Sequence, residues 1–213
     1  MKLFDLIKLL KSANSVEEID VHRDDIALLI PMVRIMFDYD QQNHAHQYDL
    51  WNHCLHTVIN IPRNLEDGML YLAALLHDIG KPDSQCEGTR EDDTNMHYYG
   101  HPKRSMEIMR DEVIPYLLDM GEEILFSDIK RLIYYVEYHD DRVSVKLKHV
   151  RRHINMVEFE DFQKLMLLQV ADAEAHVMLP IIEERIRICT ALAGEEGKEL
   201  FERIRNGEQV DCN

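Results

Sequence analysis

Four side chains of the types that bind metal ions stand out in this sequence: His53, His77, Asp78 and Asp172. His77 and Asp78 are adjacent in LLHDIGKP, at the end of an apolar run. A carboxylate at such a position needs a bonded cation or a metal, because burying an unpaired charge is costly. Imidazole and carboxylate together suit a divalent ion, with Mn, Ni, Co, Fe, Zn or Mg as candidates. Four protein ligands would leave open positions for water and a substrate oxygen.

The adjacent histidine and aspartate lie in the last turn of a helix predicted over 65–79. The preceding YLAALL is apolar on nearly all sides, which predicts a central, buried helix. We expect the helix to end at Gly80 in a left-handed cap, and Pro82 to prevent its continuation. Pairing with Lys81 or an arginine would also satisfy Asp78, so the pair taken alone favours a structural role.

The other two candidate ligands lie on separate helices. In FQKLMLLQVADAEAH, Asp172 follows Leu165 by seven residues and shares its apolar stripe. In YDLWNHCLHTVI, His53 lies about 60° and His56 about 120° from Leu50 around the helix, so His53 should be nearer the core. The sequence has twelve histidines. Chance neighbours are therefore common, and spacing alone leaves a metal site and packed core histidines as open alternatives.

Helical periodicity extends over nearly the whole chain and predicts an all-α fold without strands. Pro31 should kink or split the second helix. The polar stretch at 83–100 is either a functional lid or rim, or a solvated surface excursion. The predicted helices are 3–11, 24–40, 49–60, 65–79, 101–119, 122–139, 146–155, 158–178, 180–193 and 196–205.

Composition limits the classes of partner. The chain has 213 residues, which suits one domain, and 24 basic against 40 acidic residues, for a net charge of −16. Such a surface repels anionic membranes and extended nucleic acid, so a small phosphorylated substrate is expected instead.

We find no apolar run long enough for a membrane span and no signal peptide, and we expect a cytoplasmic protein. No zinc ribbon or disulfide framework is indicated by the four cysteines: Cys54, Cys86, Cys189 and Cys212.

The ordered set of His53, the His77–Asp78 pair and Asp172 resembles the signature of the HD superfamily of metal-dependent phosphohydrolases. The resemblance covers about residues 40–178. Within this superfamily, the chain is most similar to the HD domain of bacterial CCA-adding enzymes (tRNA nucleotidyltransferases). The similar segments are HQYDLWNHCLHTV, LAALLHDIGKP, YYGHPKRSMEIM, YHDDR and LLQVADAEA. No nucleotidyltransferase signature is present, so we expect a free-standing HD domain without CCA-adding activity. The expected layout is a helical extension at 1–20, the HD domain at 21–193, and a tail or short helix at 194–213.

The resemblance implies an all-α bundle with a central metal held by the four candidate ligands. It also implies that His101 and His139 either bind a second ion or face the phosphate. His139 could then protonate the leaving oxygen, and Asp78 could act as a base toward water.

Three basic residues are candidates for binding the phosphate. His101 opens a helix whose free N–H groups attract an anion, and Lys103 and Arg104 follow it. Arg104 is preferred because its planar fork fits two phosphate oxygens. Lys81 could neutralise the same group, or it could pair with a surface acid.

The predicted function is therefore a divalent-metal-dependent phosphohydrolase that uses metal-activated water. It would be a phosphomonoesterase or a 2′,3′-cyclic phosphodiesterase acting on a nucleotide or a similar small phosphate ester. Two alternatives are a di-iron HD oxygenase and a non-catalytic module that senses a nucleotide. The ends of the chain, 1–20 and 195–213, could pack on the bundle or on a second subunit, so an oligomer is compatible with the sequence.

Overall fold

The computed structural model describes residues 1–90, 93–142 and 146–208. This part of the chain is helical apart from loops and one short hairpin, which confirms the predicted all-α class. None of its helices is both long and apolar enough to cross a bilayer. The helices are α1 (Leu3–Ser12), α2 (Val16–Asp20), α3 (Arg23–Leu29), α4 (Leu50–Asn60), α5 (Gly68–Leu76), α6 (Lys81–Ser84), α7 (His101–Ile108), α8 (Ile114–Asp119), α9 (Phe126–Tyr138), α10 (Leu147–Ile154), α11 (Phe159–Glu174), α12 (Pro180–Ala193) and α13 (Glu195–Arg205).

The prediction of a single helix over 24–40 is wrong, because the α-helix in this segment is shorter. The predicted break at Pro31 is confirmed. Helix α3 ends at Leu29, and a 3₁₀ helix follows at Pro31–Met36. Proline lacks the N–H that an α-helix needs and clashes with the preceding turn. By contrast, the predicted helix over 101–119 is continuous, since a π-helical turn at Met109–Val113 joins α7 to α8.

The stretch at 83–100 contains strands that the sequence analysis did not predict. Strands β1 (Cys86–Glu87) and β2 (Met96–His97) pair antiparallel. The hairpin is tied to the segment before α4, because Met96 N donates to Gln42 O at 2.8 Å and Asn43 Nδ2 donates to Met96 O at 2.9 Å. This stretch is therefore anchored to the bundle at its second strand.

The predicted left-handed cap at Gly80 is wrong. Gly80 has φ −86° and ψ −4°, and Pro82 lies in the first turn of the short helix α6, where proline is tolerated. Glycine is required for a different reason: a Cβ at this position would lie 2.4 Å from Ser105 N. Gly80 N also donates to Ser105 Oγ at 2.9 Å. The close approach brings the end of α5 against α7.

Helix α5 lies at the centre of the bundle, with every residue from Met69 to Leu76 buried, as predicted. Its N-cap Asp67 accepts a hydrogen bond from Met69 N at 3.0 Å. The same carboxylate lies 2.9 Å from Arg131 on α9 and 2.9 Å from Lys164 on α11. Asp67 therefore links the first halves of α5, α9 and α11, and all three helices deliver site residues at their C-terminal ends.

Candidate metal centre

The four predicted metal ligands converge in the structure. His53 Nε2 lies 3.0 Å from Asp172 Oδ1, and His77 Nε2 lies 3.2 Å from Asp78 Oδ2. The crossed distances are 3.4 Å for His53 to Asp78 and 3.5 Å for His77 to Asp172. All four side chains are buried, and one ligand atom from each lies within 4.8 Å of the others. His56 is half-buried and stacks on Tyr48 instead, at 3.9 Å between ring centroids.

The atoms that meet here are imidazole nitrogens and carboxylate oxygens. His77 Nδ1 lies 2.9 Å from the carbonyl oxygen of Ala74, so the neutral ring carries its proton on Nδ1 and turns a lone pair on Nε2 toward the carboxylates. The Nε2 atoms of His53 and His77 are buried and make no hydrogen bond within the described residues. Lone pairs facing carboxylate oxygens are stabilised by a cation, and a carbonyl-anchored imidazole is the usual arrangement of a metal-binding histidine. The donor set therefore fits a divalent metal.

The electrostatics of the pocket favour added positive charge. Burial by itself would raise the pKa of Asp78, but His77 and Lys81 hold that pKa well below its usual range. Burial would likewise raise the pKa of Asp172, which His176 and the ring of His53 hold well below its usual range. Burial opposes protonation of His77, yet the adjacent Asp78 raises the pKa of His77 well above its ordinary value.

A second group of ligands shares Asp78 with the first. Asp78 Oδ1 lies 3.1 Å from His101 Nε2 and 3.3 Å from His139 Nε2, and these two nitrogens are 3.1 Å apart. Their Nδ1 atoms lie 2.8 Å from Tyr98 O and 2.7 Å from Val136 O, so both rings turn Nε2 inward. The two oxygens of Asp78 thus face different groups of histidines, and the second group consists of the two histidines named for a possible second ion.

Lys81 is buried beside the same aspartate. Its Nζ lies 2.7 Å from Asp78 Oδ2 and donates to Gln41 Oε1 at 2.8 Å. It also lies 3.5 Å from His46 Nε2. Of the two roles considered for Lys81, pairing with a surface acid is not seen among the described residues, because its carboxylate partner is the buried Asp78.

A cavity of about 380 Å³ opens onto these groups. Asp78, His101, His139 and Asp172 line it.

The predicted phosphate residues Lys103 and Arg104 do not line this cavity. Arg104 Nε donates to Asp83 Oδ2 at 2.7 Å, because α6 places that carboxylate beside the start of α7. Lys103 is exposed, and its Nζ lies 4.0 Å from Glu107 Oε1. Arg104 already has a carboxylate partner, so the geometry gives its predicted role no support.

Arg185 on α12 is a site residue that sequence reasoning missed. Its Nη2 donates to the backbone oxygen of His139 at 2.8 Å and lies 3.6 Å from Asp172 Oδ2. Its Nη1 lies 3.0 Å from Asp140 Oδ1. An arginine in an amphipathic helix looks like any surface arginine, so no sequence signal was available.

Two further histidines complete the surroundings of the centre. His176 Nδ1 lies 2.8 Å from the carbonyl oxygen of Asp172, and its ring lies 4.9 Å from that of His53 between centroids. The ring centroids of His46 and His176 are 4.5 Å apart. His46, His53 and His176 also form a third group with ligand atoms close enough to share an ion. The spacing of His176 four residues after Asp172 was a signal that could have identified it.

The comparisons with known proteins identify one family. The model of the HD domain matches residues 50–176, which include all six predicted metal-binding residues. Neither the curated proteins nor the solved structures give a match. The likeness to the HD domain of CCA-adding enzymes therefore stays a prediction.

Proposed function

The chain belongs to the HD domain family, and from this premise we propose that it is a divalent-metal-dependent phosphohydrolase acting on a nucleotide or a similar small phosphate ester. The observation that carries the proposal is the convergence of the buried Nε2 atoms of His53 and His77, which make no hydrogen bond within the described residues, on two buried carboxylates. A divalent ion bound there would lower the pKa of a water molecule and polarise a phosphoryl oxygen.

We assign the first ion to His53, His77, Asp78 and Asp172. The backbone oxygen of Ala74 fixes the ring of His77, since it accepts the Nδ1 proton. Such outer partners set the orientation of metal ligands and strengthen their binding. His176 and Arg185 do the same for Asp172, because one touches its backbone oxygen and the other its free carboxylate oxygen.

His101 and His139 are assigned to the proton chemistry at the leaving oxygen. Their Nε2 atoms are 3.1 Å apart, so one proton between them satisfies both lone pairs. Both residues line the cavity, and a proton held there is available to a substrate oxygen. Where a second ion binds, the same two nitrogens and Asp78 Oδ1 are its ligands.

The phosphate is assigned to Lys81 and Arg142. Both line the cavity. Lys81 lies against Asp78, and its ammonium can donate a further hydrogen bond to a phosphoryl oxygen without moving from the pocket. Arg142 is exposed, and no carboxylate of the described residues pairs with it, so its charge is available to a dianionic substrate. A dianion bound in an otherwise acidic protein needs such local cations.

The proposal is tested by metal quantification of the purified protein together with a screen for phosphomonoesterase and cyclic phosphodiesterase activity. Asp78→Asn and Asp172→Asn should each lose most of the bound metal and the hydrolysis, since each removes an anionic ligand. Asp67→Asn is the matched control, because it neutralises a buried carboxylate outside the centre and should keep the metal. Full metal content in both ligand variants would remove the assigned site. Two irons per chain without any hydrolysis would support the di-iron oxygenase instead.

A further inference from the structure

A large aromatic side chain is exposed at the mouth of the metal cavity. Tyr99 has 69% of its surface exposed, yet it lines the same cavity as Asp78, His101 and His139. Most tyrosines bury the ring and expose only the hydroxyl. Packing therefore does not account for the position of Tyr99, whose exposed ring lines the cavity.

The ring of Tyr99 is held flat against His97. The two ring centroids are 5.3 Å apart and the planes differ by 7°, so the rings are stacked. His97 also lines the cavity. A ring that is stacked on one face has lost its freedom to turn, and it can offer the other face to a second flat group at little further cost in entropy.

His97 is itself fixed by the hairpin. Its Nε2 lies 2.8 Å from Asp93 Oδ2, and the backbone and side-chain nitrogens of Asn95 both lie 3.1 Å from Asp93 Oδ1. These hydrogen bonds hold the pKa of Asp93 at about 2, so the carboxylate is charged and available to His97. We call Asp93, Asn95, His97 and Tyr99 the aromatic platform.

The platform has a fixed relation to the metal centre. Gly100, at φ +79°, follows Tyr99, and His101 begins α7 directly after it. Only Gly100 separates Tyr99 from His101, so their Cα atoms are within about 8 Å of each other. The hairpin that carries His97 is tied to the bundle through Gln42 and Asn43.

We propose that the ring of Tyr99 stacks on a flat aromatic group in the organic part of the substrate. The inference rests on the proposed function, which assigns the phosphate to the metal centre, and it narrows the substrate to phosphate esters whose organic part carries an aryl group or a nucleobase. Stacking on a protein aromatic ring is tolerant of base identity, since every base has a π-face. The platform thus selects for aromatic character and not for one base.

A second apolar surface adjoins the centre and is the competing position for the organic group. A cavity lined by Ile181, Ile182 and Ile188 shares Arg185 with the metal cavity. The isoleucines form its apolar part, and none of the described residues that line it is aromatic. A flat ring should therefore bind at the aromatic platform, where it can stack. The isoleucine-lined cavity would accept any bulky apolar group.

The test measures binding by calorimetry to the metal-loaded protein, with phenylphosphonate and ethylphosphonate as probes. Both carry the same head group on a P–C bond, which a phosphohydrolase does not cleave, so binding is measured whether or not the protein turns over an ester. The wild type should bind phenylphosphonate roughly tenfold tighter, in line with the strength of one stacked ring. Tyr99→Ala should reduce this preference to about twofold or less, and Tyr99→Phe should keep it.

Phe126→Ala is the matched control, because Phe126 is 71% exposed and lies outside the metal cavity. It should leave the preference unchanged. A preference that survives Tyr99→Ala, or that Ile181→Asp abolishes while Tyr99→Ala does not, overturns the proposal. Equal binding of the two probes by the wild type also overturns it. Failure of the proposed function would look different: phosphonate binding would be retained, and no phosphate ester would be hydrolysed.

Discussion

The guanidinium of Arg185 donates a 2.8 Å hydrogen bond to the backbone oxygen of His139 and lies 3.6 Å from the carboxylate of Asp172. One side chain therefore contacts the C-terminal ends of both α9 and α11, and each end carries a residue of the centre. Arg185 lies beyond the segment that the family model matches. Helix α12 thus takes part in shaping the centre as well as covering the bundle.

Arg185→Ala should weaken metal binding about tenfold, because Asp172 loses a partner that orients its second oxygen. Metal affinity is measured by competition with a chelator, and hydrolysis is followed in parallel at saturating metal. Arg187→Ala is the control on the same helix, since Arg187 is exposed and its guanidinium pairs with Glu184. Equal metal affinity in the two variants would show that Arg185 is only a packing residue.

Arg142→Ala should raise KM for a phosphate ester roughly tenfold while the metal content stays constant, because a charge-assisted contact with the dianion is lost. Arg104→Ala should change KM by less than about twofold, since that guanidinium is bonded to Asp83. Steady-state kinetics of the two variants compare the residue that faces the cavity with the one that the sequence favoured. The reverse order of effects would restore Arg104 as the phosphate residue.

Asp67→Asn should lower the free energy of unfolding by about 3 kcal/mol at pH 7, because it breaks a buried pair with Lys164 and Arg131. Burial would raise the pKa of Asp67, but Lys164 and Arg131 outweigh it and lower the pKa below its ordinary value of 3.8. The carboxylate therefore contributes its full stability above pH 3.8, and the contribution is lost as the pH falls through the lower folded-state pKa.

Urea unfolding of wild type and Asp67→Asn between pH 7 and pH 3 measures this dependence. The difference between the two proteins should be constant from pH 7 to about pH 5 and should shrink below about pH 4. Metal content should be unaffected, because Asp67 lies at the other end of α5 from Asp78. A difference that stays constant down to pH 3 would mean that the carboxylate is not paired.

Gly80→Ala should destabilise the fold by about 1–3 kcal/mol, because the added Cβ would lie 2.4 Å from Ser105 N and force α7 away. His101 moves with α7, so activity should fall further than stability alone explains. Gly194→Ala is the control, since its Cβ would meet only ordinary contacts at 3.5 Å. Thermal unfolding and hydrolysis of both variants are compared. Unchanged stability of Gly80→Ala would show that the two segments are not in close contact.

The sequence was sufficient to predict most helices, because helical periodicity is local and each apolar stripe can be recognised within a few turns. The position of His53 toward the core, the burial of α5 and the break at Pro31 follow from such local patterns. The errors lie where distant segments meet. Gly80 was assigned a cap because its contact with Ser105 is 25 residues away. The hairpin at 86–97 was missed because two-residue strands have no period to detect.

By itself, the sequence predicted that His53 and Asp172 would face the core, because amphipathic spacing indicates which way a helical residue points, and that the His77–Asp78 pair would come at the end of a buried helix. It could not determine which nitrogen each histidine presents or which basic residue faces the cavity. Those features depend on backbone carbonyls and carboxylates that are remote in the chain. Arg104 is bonded to Asp83 and does not line the cavity, whereas the packing of α12 places Arg185 in its lining. Only tertiary packing decides such pairings, since each needs two separate elements to meet within about 3 Å.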